Sequence, residues 1–287
     1  MKKYLRLLRV HHYIKNFLVC LAPFFGQVIF QPHIIKITLL SMTSFSLLSS
    51  SIYIVNDICD VEKDRKHPIK CKRPIASGEI SLTTSKIICG FLMLTSLLVQ
   101  FLIDFHNITS WLVLGVYLVS NLLYSNYGVK NIPLVDVYFL AFGFTLRVFY
   151  GAANTHVPIS VWLLLVIICG SLYLGFGKRR NELTTSGNTT RIVLKYYNRQ
   201  FLSQSMNSCM TLAIVFYSLW CMEKDSIGFA SGYTYSVPFI IILFLRYSLI
   251  IEKGSDGDPV NVIIKDKILL LLGIIYALLL VLLVYYQ

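Results

Sequence analysis

Charge is scarce in this chain of 287 residues: Asp, Glu, Lys and Arg make up 14% of it, against 56% hydrophobic residues. A mean hydropathy of +0.67 is far above that of a water-soluble domain and excludes a soluble globular enzyme. Metal and disulfide patterns are missing as well. The seven cysteines (Cys20, Cys59, Cys71, Cys89, Cys169, Cys209, Cys221) are scattered, with neither zinc-site spacing nor a disulfide framework. The six histidines form no HxxxH-type cluster, which argues against zinc chemistry. No small-residue cleavage site follows the first apolar stretch, so no cleavable signal peptide is expected. Without repeats, linkers or low-complexity tracts, residues 1–287 read as one membrane domain.

Apolar runs fill the chain instead. Crossing the hydrocarbon takes ~20 apolar residues, and nine stretches approach that length: 17–33, 37–55, 85–105, 109–125, 133–152, 158–177, 204–222, 236–251 and 267–286. Nine in succession cannot share one water-soluble core. The expected fold class is therefore all-α, a polytopic membrane protein with nine transmembrane helices.

The net charge of +12 would suggest nucleic acid in a soluble chain, but its distribution gives another reading. Basic residues gather before the first span (Lys2, Lys3, Arg6, Arg9, Lys15) and between the second and third (Lys63, Arg65, Lys66, Lys70, Lys72, Arg73, Lys86). They recur at Lys130, at Lys178–Arg199 and at Lys253–Lys267, always in every second connection, while the opposite connections hold only Lys36 and Lys224. The positive-inside rule places the N-terminus and the basic connections in the cytoplasm of an inner-membrane protein. No nucleic-acid partner is needed.

The second span ends in Asn56-Asp57-Ile58-Cys59-Asp60-Val61-Glu62-Lys63-Asp64. On a helix, Asp57, Asp60 and Asp64 fall within roughly 60° of arc, with Asn56 beside them. Three like charges on one stripe repel unless a cation neutralises them. Hard oxygen donors of this kind suit Mg²⁺ completed by substrate phosphates. The following segment brings Arg65-Lys66-His67-Pro68 and Lys72-Arg73-Pro74-Ile75-Ala76-Ser77-Gly78, cations for phosphate oxygens further from the metal. A second basic group, Lys178-Arg179-Arg180-Asn181-Glu182, follows the sixth span. It reads as a second anion site, although a topology signal or a helix-surface ion pair with Glu182 has the same spacing. Arg147 lies well inside the fifth span, where an arginine is costly and faces a protein cavity with a partner.

Asn56-Asp57-x-x-Asp60-x-x-x-Asp64 resembles the first aspartate-rich motif of the UbiA superfamily of intramembrane prenyltransferases, nine-helix proteins with this motif after the second helix. Most members carry a second aspartate-rich motif after the sixth helix. Here Lys178-Arg179-Arg180-Asn181-Glu182 takes that place, and Asp256 and Asp258 come a connection too late. The chain is most similar to the polyprenyl-phosphate phosphoribosyltransferase branch. That likeness is carried by Lys15-Asn16 before Ala22-Pro23, by Arg73–Gly78, and by Tyr124-Ser125 with Lys130 and Asp136. Gly143-Phe144-x-Leu146-Arg147 with Gly151, Lys178–Leu183, Arg246-Tyr247 and Gly257-Asp258-Pro259 extend it. Where the branch usually has Gln-Trp, this chain has His12-Tyr13.

The resemblance implies transfer of 5-phosphoribosyl from phosphoribosyl diphosphate to a polyprenyl phosphate lipid, releasing diphosphate. Asp57, Asp60 and Asp64 would hold Mg²⁺ on the leaving group, oriented by Asn56. Lys66, Lys72, Arg73, Lys178, Arg179 and Arg180 would divide the other phosphates. Lys15, Asn16, Tyr124, Lys130, Arg147 and Glu182 complete the substrate-binding set, and a homo-oligomer is compatible with the resemblance. Two alternatives stay open: a prenyltransferase acting on an aromatic or other small acceptor, and a transporter or lipid-carrier binding protein. The missing second aspartate motif weighs against the first. Concentration of charge on one face weighs against the second.

Overall fold

A backbone in hydrocarbon must satisfy its own hydrogen bonds, so apolar runs become helices. The computed structural model describes residues 2–67, 70–126, 128–186, 192–227, 232–252 and 259–286, and among them there is no strand. Two short helices, α1 (Lys2–Leu8) and α2 (Leu21–Phe25), flank a 3₁₀ segment, Val10–Cys20. Then come α3 (Pro32–Cys59), α4 (Val61–Arg65), α5 (Leu82–Ile103), α6 (Ile108–Asn126), α7 (Val135–Thr155) and α8 (Val161–Ser186). The chain continues with α9 (Arg199–Ile227), α10 (Val237–Glu252), α11 (Pro259–Lys265) and α12 (Lys267–Tyr285).

Eight helical stretches among the described residues are long and apolar enough to cross a membrane: α3, α5, α6, α7, α8, α9, α10 with the 3₁₀ turn Tyr233–Ser236 before it, and α12. They match eight of the nine expected spans. The stretch 17–33 departs from expectation and folds as shorter pieces. Pro23 brings no N–H to the ladder, Gln27 turns the chain with a φ of 60°, and Val28 and Ile29 both bond back to the Pro23 carbonyl. Asn16, buried in the 3₁₀ segment, bonds to Ser46 at 2.8 Å.

The chain forms two compact units, and α7 contributes to both. The first comprises residues 1–129 and 146–158. Its centre is α3 against α5, where small residues let the helices approach closely. Ser44 Oγ donates to the Ser96 carbonyl (3.0 Å) and Ser96 Oγ to the Ser44 carbonyl (2.8 Å). Tyr150 and Asn154 of α7 join this seam by bonds to Gln100, Ser44 and Ser41. The second unit comprises residues 130–145 and 159–287. There α8 packs along α9 over a core that includes Val137, Tyr173, Phe176, Leu194, Leu202 and Met206.

Candidate active site

The aspartate motif lies where α3 ends. Asp60 caps the helix at φ −96°, ψ 7°, and α4 starts at Val61. The expected single stripe is thus split at Asp60, although Asp60 N still bonds to the Asn56 carbonyl (3.0 Å) and Asp64 N to that of Asp60 (2.8 Å). Asp57 and Asp64 are buried, and Asp60 and Asn56 half-buried.

Arginines gather these carboxylates. Arg73 Nη1 bridges Asp57 Oδ1 (3.0 Å) and Asp64 Oδ2 (2.6 Å), while Arg9 Nη2 reaches Asp57 Oδ1 at 2.5 Å. Local folding sets Arg73 in place. Ser77 N bonds to the Arg73 carbonyl (2.9 Å) and Ile80 N to the Pro74 carbonyl (3.0 Å). Gly78 takes a φ of 80° that favours glycine. Ile75 and Ile80 anchor the turn in an apolar cluster with Leu7 and Ile54. Ser125 donates to Asn56 Oδ1, which ties the end of α6, with Tyr124, to the motif. Lys66 and Lys72 are exposed on the same connecting segment, and Lys15 is half-buried in the 3₁₀ segment. Pro68 lies outside the described residues, as do Gly257 and Asp258.

Arg147 and Asn16, both expected at the substrate, are buried together in the first unit. Arg147 Nε donates to Asn16 Oδ1 (2.8 Å) and Nη2 to Tyr117 Oη (3.1 Å). The guanidinium lies over the Phe45 and Tyr117 rings, 5.0 and 5.2 Å from their centroids.

The basic group of the second unit is equally partnered. Arg179, fully buried, donates through Nε to Asp136 Oδ2 (2.5 Å) and through Nη1 to Glu182 Oε2 (2.7 Å). Tyr197 Oη donates to Asp136 Oδ1 (2.8 Å) and accepts the Leu134 N–H (2.6 Å); burial pushes its phenol above the ordinary value. Arg180 pairs with Glu252, which also holds Arg199 at 2.9 Å. Arg180 Nε is buried and meets no hydrogen-bond partner among the described residues. Lys178 and Lys130 are half-buried.

Sequence reasoning missed Arg9, Ser125, Arg199 and Glu252 as members of these clusters, and gave Asp136 no partner. Arg9 and Arg199 carried only a topology signal. Partners tens of residues away leave no local pattern.

Among the described residues, no group of three His, Cys, Asp or Glu is gathered to hold a metal ion. Mg²⁺ needs fewer protein donors, since one or two carboxylates suffice when water and substrate phosphates complete the shell. Asp57 Oδ2 and Asp64 Oδ1 stand outside the arginine bonds. Hard oxygens beside two cations fit a magnesium–phosphate unit.

Eight apolar helices and a buried carboxylate–arginine cluster at the end of one of them define a multi-pass membrane protein with a charged site at a helix end. Residues 18–259 match the model of the UbiA prenyltransferase family, and the chain belongs to that family of membrane enzymes. It is 31% identical over 274 residues to the decaprenyl-phosphate phosphoribosyltransferase of Mycobacterium tuberculosis, covering 93% of this chain and 89% of that one. The Corynebacterium glutamicum protein of the same name is 32% identical over 289 residues, covering 98% and 86%. Among solved structures, a UbiA homolog from Archaeoglobus fulgidus bound to GPP and Mg²⁺ gives a TM-score of 0.72 at 20% identity. It covers 99% of this chain and 98% of that one, a likeness of fold.

Proposed function

We propose that this chain transfers the 5-phosphoribosyl group of 5-phosphoribosyl 1-diphosphate to a polyprenyl phosphate, at the cytoplasmic face of the inner membrane, with Mg²⁺. The observation that carries this reading is identity above 30% to decaprenyl-phosphate phosphoribosyltransferases over most of both chains. A basic group where a second aspartate motif is usual agrees with it, because both substrates then carry phosphate. The whole of residues 1–287 acts as one membrane enzyme.

A lipid phosphate oxygen attacks C1 of the ribose, and the bond from C1 to the diphosphate oxygen breaks with its electron pair leaving on diphosphate. The attacking oxygen is already anionic near neutral pH, so no general base is required. Asp57 and Asp64, with Asp60, would hold Mg²⁺, which when bound would neutralise charge on the leaving diphosphate. Arg73, Lys66 and Lys72 bind phosphate oxygens beside the aspartate motif, and Lys178 and Arg180 are further phosphate-binding candidates. Lys15, Lys130 and Tyr124 are further binding candidates. Asn56 orients the motif through Ser125. Arg147 with Asn16, and Arg179 with Glu182, act as positioning residues, because their guanidinium groups are buried among protein partners. Rate enhancement then rests on positioning and electrostatics.

The test uses purified protein with radiolabelled phosphoribosyl diphosphate and polyprenyl phosphate, with and without Mg²⁺. Label should enter lipid only with metal, and Asp60→Asn should abolish it. No label in lipid from phosphoribosyl diphosphate, together with transfer of a labelled prenyl group from prenyl diphosphate to an added small acceptor with release of diphosphate, would instead establish the second reading, prenyl transfer, which the family's name favours.

A further inference from the structure

Arg9 stands apart from the other bases of the first unit. Its backbone is left-handed, at φ 53° and ψ 45°, a conformation that costs a non-glycine residue about 1 kcal/mol or more. Something must hold it there. On one side α1 is docked: Leu7 is fully buried, Arg6 pairs with Glu79 at 2.6 Å, and Lys3 Nζ reaches the Glu79 carbonyl at 3.3 Å. Ser50 Oγ donates to the Leu8 carbonyl at 2.8 Å. On the other side the guanidinium lies over the Tyr53 ring, 4.9 Å from its centroid, with Nη2 on Asp57. The N-terminal helix is thus a strap across the aspartate motif, and Arg9 is its catch.

Arg9 donates to Asp57 through Nη2, and a guanidinium offers five N–H donors. Asp57 Oδ1 already receives both Arg9 and Arg73, so Arg9 duplicates what Arg73 supplies. Two arginines balance the charges of Asp57 and Asp64. A divalent cation entering alone would meet two guanidinium groups and compete with them for carboxylate oxygen. A cation entering with diphosphate brings the anion that those groups can bind.

We propose that Arg9 is a diphosphate-binding residue carried on the N-terminal strap, and that its pairing with Asp57 makes metal uptake depend on diphosphate. The proposal rests on the functional reading above only in placing a metal–diphosphate unit at this motif. Arg9 turns its unused donors to phosphate oxygens as Asp57 turns to metal, a bidentate geometry that suits guanidinium.

The experiment measures free Mn²⁺ by its electron paramagnetic resonance signal, with the detergent-purified full chain and inorganic diphosphate as the anion probe. In the wild type, diphosphate tightens Mn²⁺ binding. Arg9→Gln binds Mn²⁺ alone more tightly, and with Mn²⁺ saturating binds diphosphate about tenfold more weakly, the effect of losing one charged hydrogen bond. Arg9→Gly gives the same pair of changes while relieving the left-handed backbone, so failure to fold cannot stand in for the result. Variants matching the wild type in both measurements, or losing both ligands together, overturn the proposal. A wild type that binds Mn²⁺ and diphosphate cooperatively yet transfers no phosphoribosyl label leaves it standing and overturns the functional reading alone.

Discussion

The two units hold their charged clusters in opposite ways. In the first, the carboxylates are the buried members, with Asp57 3% and Asp64 4% exposed, while Arg9 and Arg73 keep 19% and 29% of their side chains in solvent. In the second, Arg179 and Asp136 are both wholly inaccessible, and the arginine is shared with Glu182. A cation that still touches solvent can pass to an incoming anion without stranding a charge, because water and the ligand replace its partner. A cation enclosed with its counter-ions cannot. The first cluster is built for exchange and the second for permanence, although both begin as basic residues next to an apolar span.

The largest test of that difference is Arg179→Met. It leaves Asp136 buried without its cation, and breaking a buried pair in this way costs about 3–5 kcal/mol. Thermal unfolding in detergent should show the loss whether or not substrates are present. Asp57→Asn should do the reverse. The two arginines it releases are partly solvated, so the midpoint should move little, while transfer falls about a hundredfold through loss of charge stabilisation at the leaving group. If Asp57→Asn unfolds the protein as readily as Arg179→Met, the exchange reading of the first cluster is wrong.

Much of the first cluster was legible in the sequence and much of the second was not. Asp57, Asp64 and Arg73 lie within seventeen residues of chain, so spacing and charge pattern exposed them. Membrane helices were equally open to reading, because length and composition decide them in hydrocarbon. The segment 17–33 misled because its apolar content matches a span, while Pro23, the turn at Gln27 and the side-chain bonds of Asn16 impose shorter pieces. Arg179 could not be told from Arg180 by sequence. Their difference depends on Asp136, 43 residues earlier, and on Glu252, 72 residues later than Arg180.

Close backbone approach offers a second way to set the units against each other. A Cβ on Gly151 in the first unit would stand 1.9 Å from the Val19 carbonyl oxygen, and one on Gly175 in the second 2.8 Å from Val137 Cγ1. Main chain cannot rotate aside as a valine methyl can. Gly151→Ala should therefore cost more, about 3 kcal/mol at the upper end for overpacking against about 1 kcal/mol for Gly175→Ala. Thermal midpoints of the two variants measure the difference. Gly151→Ala should also lower transfer, since it displaces the 3₁₀ segment that follows Arg9.

The smallest effect concerns Arg246 and Asp266, a pair in the second unit that keeps 27% and 19% of its side chains exposed. If permanence follows from burial, and not from membership of that unit, this pair should contribute far less than Arg179 and Asp136. The Arg246 guanidinium, donating to Asp266 at 2.7 Å, holds the carboxyl below its ordinary value, helped by the Leu269 N–H at the start of α12. A carboxyl depressed in the folded state adds stability above its unfolded pKa of about 3.9, and that stability is lost as pH falls through the lower folded value. Asp266→Asn keeps a good helix cap and removes only the charge. Its midpoint should lie slightly below that of the wild type at pH 7, and the gap should close on acidification below about pH 4. A gap that persists in acid, or one as wide as that of Arg179→Met, would show that position in the second unit, and not burial, sets what an ion pair contributes.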